Sequence, residues 1–335
     1  MSVQPSARPL LAPLTPLYRL ALGWRELRLR RAWETVNRLQ HPVVSIGNIS
    51  TGGAGKTPLA IALAQALARR GMAVDVLSRG YGRRSTAPAQ VDPQGSYEAF
   101  GDEPLHIARA AHVPVYVARQ RFEAGQLAES FSAPPALHLL DDGFQHRQLH
   151  RDADIVLVNA DNLRDTLLPT GNLREPIAAL RRATILAIPA DESDAKPDTE
   201  AALRALGFHQ PLWRIRRSMQ VPAITGPVIA FCGIARPEQF FTGLAQAGLD
   251  LVVRKAYADH HRYTAAELMQ LASAALAAGA TLLTTEKDAM RLASLLHLLP
   301  AAVELKTAGL VSEIADEDAA LDGLLAHIAH PETSR

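Results

Sequence analysis

A single cysteine, Cys232, is all the sequence holds. An internal disulfide and a cysteine-rich zinc site are therefore excluded, which a reducing compartment permits. Charge of one sign is also scarce. The formal net charge is +1, so nothing global marks a nucleic-acid binder, and no obligate protein partner is evident. No run reaches the roughly 18 uncharged apolar residues that a spanning helix needs. The nearest, Leu10 to Trp24, is broken by Pro13, Pro16 and Arg19. Its arginines follow the apolar residues instead of preceding them, which argues against a cleaved signal peptide. Internal repeats and low-complexity tracts are absent too.

What is present suits a folded α/β protein: 335 residues, 48% hydrophobic and 21% charged, long enough for two domains. From about Leu17 to Leu39 the pattern is helical. Leu17, Leu20, Trp24 and Leu27 recur at three- and four-residue steps, with Trp33 and Val36 beyond them and six arginines between. Such a basic amphipathic helix either packs on its own domain or lies in an anionic membrane interface. Short apolar runs then alternate with helical stretches: Val43–Ile46, Ala73–Leu77, Val113–Val117, Ala136–Leu140, Ile155–Val158 and Thr184–Ile188. That alternation predicts a mostly parallel sheet covered on both faces. A polar, proline-bearing stretch at 191–197 precedes a connecting run at Leu212–Arg216. A second, smaller α/β set opens at Val228–Cys232. The expected division is an N-terminal helix at 1–40, a P-loop NTPase-like domain at 41–210, a linker at 211–225, the smaller domain at 226–300 and a C-terminal return segment at 301–335.

The segment from Gly47 to Thr57, strand then glycine loop then helix, has the order a phosphate-binding loop requires. Glycines turn backbone N–H groups inward around phosphate oxygens, and the helix N-terminus adds partial positive charge. Ser50, Thr51, Gly52, Gly53, Ala54, Gly55, Lys56 and Thr57 are the expected ATP-binding residues. Lys56 reaches the β- and γ-phosphates and Thr57 holds Mg²⁺. Ser50 stands where the usual motif has glycine. The other half of such a site is an acid at a neighbouring strand end, and Asp141-Asp142 provides two candidate Mg²⁺ ligands.

Taken together, these residues resemble the tetraacyldisaccharide 4′-kinases of lipid A biosynthesis. The matching segments are Gly47-Asn48 with Gly52 to Pro58, Ser78-Arg79-Gly80-Tyr81-Gly82, and Gly101-Asp102-Glu103-Pro104. Asp141 to His146 and Gly171 to Pro176 follow, then Phe231 to Pro237, Asp259-His260-His261 and Thr284 to Asp288. The resemblance implies an ATP- and Mg²⁺-dependent kinase that phosphorylates the 4′-hydroxyl of an acylated glucosamine disaccharide 1-phosphate. It implies two α/β domains with the site between them, at the cytosolic face of a bacterial inner membrane. Asp102 would accept the hydroxyl proton, paired with His260, or with His261 as the alternative, and Glu175 would be a further Mg²⁺ ligand or an acid behind the ligands. Arg119, Arg121 and Arg174 would neutralise phosphate charge. Gln145 and His146 either face the γ-phosphate or form a turn. Two readings compete: a P-loop switch ATPase, which often carries a lysine where this chain has Thr51, and a soluble small-metabolite kinase, which leaves the basic helix without a role.

Overall fold

The structure, a computed structural model, describes residues 8–330 except 32, 53–54, 132 and 191–197. Gly53 and Ala54 of the expected loop and the boundary stretch 191–197 therefore lie outside the described residues.

Twelve strands form one sheet: β1 (Val43–Asn48), β2 (Val74–Ser78), β3 (Ala89–Gln90), β4 (Val115–Val117), β5 (Leu137–Asp141), β6 (Ala153–Leu157), β7 (Ile185–Pro189), β8 (Leu212–Gln220), β9 (Pro227–Cys232), β10 (Asp250–Ala256), β11 (Thr281–Thr285) and β12 (Leu305–Ile314). Their order is β10-β9-β11-β12-β8-β7-β6-β1-β5-β2-β4-β3. Among the described residues, the β3–β4 and β8–β12 strand pairings alone are antiparallel. β1, β2, β5 and β6 are buried at every residue, as parallel strands covered on both faces must be. Leu59, Leu63 and Leu67 of the helix after β1, α2 (Lys56–Arg69), pack on one face with Ile46, Val76 and Leu139. Phe144, Val156, Leu173 and Leu186 fill the other.

β1 lies between β5 and β6, so the chain leaves it where neighbouring connections run to opposite sides. Ligands of open α/β sheets bind at such a switch point. Ile46 is in register with Asp141, which sets the acidic pair beside the glycine loop.

The connector expected at 211–225 is largely β8, a nine-residue strand hydrogen-bonded into the sheet. β12 inserts between β11 and β8. The helix after it, Glu317–Ala329, buries Leu321 and Leu324 in the core that also holds Leu59, Leu63 and Leu67 of α2. At the N-terminus the helix is shorter than its pattern suggested. α1 spans Thr15–Arg30, and the chain beyond is not helical. There the Asn37 N–H donates to Gln148 O and Asn37 O accepts from the His150 N–H, so a bridge to Leu149 takes the backbone groups that a helix would have used.

Candidate active site

The glycine loop is anchored by the 171–176 segment. Thr51 N–H donates to Asn172 O at 2.8 Å, and Arg174 N–H to Ile49 O at 2.7 Å. Ser50 is buried and bridges Leu173. A glycine is not required at position 50 because this pairing holds it as a short piece of strand. Gly55, at φ 81°, is a different case: a Cβ there would come within 2.8 Å of the Arg217 guanidinium carbon. Lys56 Nζ lies 3.3 Å from Asn48 Oδ1 and 3.4 Å from Asp142 Oδ1, and Thr57 is buried beside it.

The two acids of the pair have different surroundings. Asp142 meets Lys56 and Arg174, the latter at 3.0 Å. Burial would raise its pKa, but these two cations outweigh it and hold the carboxyl below its ordinary value. Asp141 is fully buried, and its Oδ1 has no hydrogen-bond partner among the described residues. Burial, then the charges of Glu103 and Asp142, push its pKa up. An orphaned buried carboxylate oxygen among other acids is a fitting place for a divalent cation. Glu175 is buried and pairs through Oε2 with Arg182 at 2.6 Å.

Across the site stands Asp102, the first residue of the helix Asp102–Ala111. Gly101 before it has φ 90°, and a Cβ there would meet Tyr81 O at 2.8 Å, so the turn that presents Asp102 needs glycine. Asp102 Oδ1 accepts its neighbour's N–H. Oδ2 faces residues from the β9–β11 end of the sheet: His260 Nδ1 at 3.2 Å, and Arg291, whose Nε donates at 2.8 Å and whose Nη2 also donates. Burial opposes ionisation, but His260 and Arg291 together hold the carboxyl well below the usual carboxylate range. The same hydrogen bond raises the His260 pKa against its burial. His261 turns away, bonding Glu267 at 3.0 Å and stacking on Tyr257. Of the two histidines left open by the sequence, His260 is the one that meets Asp102.

Three further residues complete this cluster. Arg291 is buried, bridges Asp102 and Asp288, and donates to Gly233 O. Lys287 pairs with Glu103 at 2.7 Å, and Tyr81 lies against the His260 ring at 5.3 Å. Arg291 sits one helical turn beyond Asp288, yet its partner is 189 positions away, a pairing no local pattern announces.

The remaining candidates divide. Arg174 donates to Asp142 and reaches Gln145 Oε1 at 3.5 Å. Gln145 Nε2 donates to Asn48 O at 2.8 Å, which ties the loop after the acidic pair to the end of β1. Burial, with Arg121, Arg151, Arg25 and Arg79 nearby, lowers the His146 pKa to about 4. Its ring is therefore neutral. Arg121 is buried, with its Nε unpartnered among the described residues, and its pKa is lowered by burial against the pull of Asp142. Arg119 is exposed in a separate groove with Thr86, Pro88 and Glu123, apart from these groups.

α1 touches the same loops. Tyr18 OH donates to Arg174 O at 2.8 Å, and Arg25 donates to Gln145 O. Its opposite side leaves Leu17 62%, Leu20 69% and Trp24 57% exposed.

The family model for tetraacyldisaccharide-1-phosphate 4′-kinases matches residues 7–328. A tetraacyldisaccharide 4′-kinase of Koribacter versatilis is 42% identical over 325 residues, covering 93% of this chain and 97% of that protein. One of Maricaulis maris is 38% identical over 328 residues, covering 95% and 90%. The crystal structure of the "apo" form of LpxK from Aquifex aeolicus in complex with ATP superposes with a TM-score of 0.75 at 31% identity, covering 96% of this chain and 99% of that one. With that coverage by the family model and the relatives, the chain belongs to the tetraacyldisaccharide-1-phosphate 4′-kinase family.

Proposed function

We infer that this chain transfers the γ-phosphoryl group of ATP to the 4′-hydroxyl of a tetraacylated glucosamine disaccharide 1-phosphate, giving the lipid A precursor lipid IVA. The observation that carries the reading is that Asp102 meets His260 across the sheet, while the charge of its neighbour Glu103 acts on Asp141, which is in register with Ile46 just ahead of the glycine loop. A sugar hydroxyl is a poor nucleophile, so Asp102 orients it and accepts its proton as transfer proceeds. His260 holds Asp102 ionised and aimed, which links proton transfer to the approach of the β9–β11 half. Lys56, with the backbone of the loop from Ser50 to Thr57, binds the phosphates; Arg121 and Arg174 add positive charge beside them. Thr57, Asp141, Asp142 and Glu175 are the residues that would hold Mg²⁺, which when bound neutralises charge on the transferring phosphoryl group. Asp142 already has two cationic partners, so Asp141 has the freer oxygen.

The test is incubation with [γ-³²P]ATP, Mg²⁺ and the tetraacyl disaccharide 1-phosphate in detergent. Label must enter the lipid with wild type. Asp102→Ala must abolish transfer while ATP binding stays nearly intact, and turnover at a near-wild-type rate would remove Asp102 as the base.

The acylated substrate lies in a membrane, and α1 supplies a surface for reaching it. Leu17, Leu20 and Trp24 face outward while Tyr18 and Arg25 hold the loops around Asp142. No described helix is long and apolar enough to cross a bilayer. From the exposed apolar side of α1 we place the chain as a peripheral protein at the cytosolic face of the inner membrane, with α1 in the anionic interface. Leu20→Asp/Trp24→Asp should weaken binding to anionic liposomes by at least about tenfold, since each fully buried side chain contributes on the order of 2 kcal/mol. Unchanged partitioning would refute this placement.

A further inference from the structure

At the end of the sheet opposite the glycine loop, two histidines and a glutamate meet. His41 precedes β1, Glu129 ends the helix Arg121–Glu129, and His138 is the second residue of β5. Glu129 Oε1 lies 3.1 Å from His41 Nδ1 and 3.4 Å from His138 Nε2. All three donor atoms fall within 4.8 Å of one another, the one such convergence of histidine, cysteine and carboxylate groups among the described residues. We propose that His41, Glu129 and His138 form a zinc-type divalent metal site that is separate from the phosphoryl-transfer centre.

Three features support the assignment. Ligand atoms about 2.0–2.1 Å from a tetrahedral zinc stand about 3.3–3.4 Å apart, and the two Glu129 distances bracket that spacing. Two of the ligands are also oriented by neighbouring groups. His138 Nδ1 faces Asp75 Oδ1 at 2.8 Å, with both side chains buried. That is the carboxylate–histidine–metal arrangement which fixes a ligating imidazole's tautomer and orientation. Asp75 Oδ2 has no partner among the described residues, so the carboxylate's visible engagement is with His138. Glu129 Oε1 is in turn positioned by the His41 backbone N–H at 2.9 Å. Two nitrogens and one oxygen suit zinc, cobalt or nickel and not Mg²⁺, which prefers an all-oxygen shell. The His41 side chain is 29% exposed, which leaves a side for water as the fourth ligand. Such a metal would tie the chain entering β1 to the helix before β5 and to β2 through Asp75, far from the reacting groups, and its role would be structural.

The test uses the full-length protein, stripped with chelator and kept in excess Mg²⁺ so that the oxygen-rich centre is occupied. Zn²⁺ is titrated by calorimetry and against a chromophoric chelator, and Co²⁺ is followed by its visible bands. Wild type should bind one equivalent of Zn²⁺, gain thermal stability from it, and give Co²⁺ bands of tetrahedral intensity. His41→Ala, at a partly exposed position, should keep the wild-type fold by circular dichroism and kinase activity while losing binding and the stability gain. Asp75→Asn should weaken binding by about 10–100-fold. If wild type takes up no Zn²⁺, or His41→Ala binds it with unchanged stoichiometry and affinity, the assignment is wrong and the cluster is a hydrogen-bonded network alone.

Discussion

Replacing Arg291 by methionine keeps much of the side-chain volume and removes the charge that faces Asp102. At the 2.8 Å separation of Nε and Oδ2, unit charges attract by about 6 kcal/mol at an effective dielectric of about 20. Desolvation cancels part of that, and removing one partner of a buried pair costs about 3–5 kcal/mol. Asp102 would be left in a buried position with His260 as its remaining direct partner and Lys287 farther off. The sign of the pH dependence follows. The folded-state pKa of Asp102 is depressed, so the pair's contribution is fully present above the unfolded value of about 3.9. It is lost as pH falls from there through the folded value. Urea unfolding should therefore show a destabilisation of about 3–5 kcal/mol that is constant from pH 5 to pH 8 and shrinks below about pH 4. In the kinase assay the acid limb of kcat/KM should move to higher pH, because Asp102 becomes easier to protonate. Arg291→Lys should restore part of both effects, lacking the forked geometry. In a double-mutant cycle with Asp102→Asn, the two losses should be less than additive. A stability change below about 1 kcal/mol with an unmoved acid limb would refute the argument, since surface-like behaviour of that size belongs to solvated pairs.

Two other perturbations test the frame around the site. In Gly47→Ala the new methyl would lie 2.5 Å from Phe144 Cβ and 2.9 Å from its backbone N. Overpacking of about 1–3 kcal/mol in Tm or urea midpoint is expected, together with weaker ATP binding, because both loops must shift. Full stability would show that β1 and the 141–146 loop separate easily. Cys232 is fully buried, and burial raises its thiol pKa to about 12. Iodoacetamide at pH 8 should leave the native protein unlabelled and modify it only after unfolding; rapid native labelling would contradict that burial.

Most of the framework was legible because its strands are short apolar runs bounded by glycine or polar turns, from Val43 in β1 to Thr281 in β11. β10 and β12 were not, for different reasons. β10 lies at the sheet edge with Val252 and Val253 exposed and a register shift between Leu251 and Val253. β12 carries Lys306, Gly309 and Glu313 through a half-exposed seam, so neither shows a buried run. α1 ends before its pattern predicts, because the apolar positions Trp33 and Val36 continue the helical spacing whereas the backbone at Asn37 is claimed by the 148–150 segment. At the site, the phosphate loop and acidic pair follow from local order along the chain. Which histidine meets Asp102 depends on the left-handed backbone at His260, φ 58°, which turns successive side chains apart. Arg291 lay beyond reach for the same reason that makes it informative: its partner comes from the other end of the sheet.

The seam between β8 and β12 has a consequence for how the protein is made. During synthesis β8 leaves the ribosome long before β12, and until β12 arrives one of its edges has no partner. The nascent nucleotide-binding half therefore waits with an open, arginine-bearing strand, Trp213 to Arg217, while β9 to β11 are translated and folded. Arg214, Arg216 and Arg217 on that waiting edge are the kind of charge that discourages edge-to-edge association. Chain order makes β12 the last strand available to close the sheet, and the helix after it brings Leu321 and Leu324 into the core shared with α2. A chain stalled before Leu305 would hold every residue named in the proposed phosphoryl transfer, yet it would lack the strand that joins its two halves.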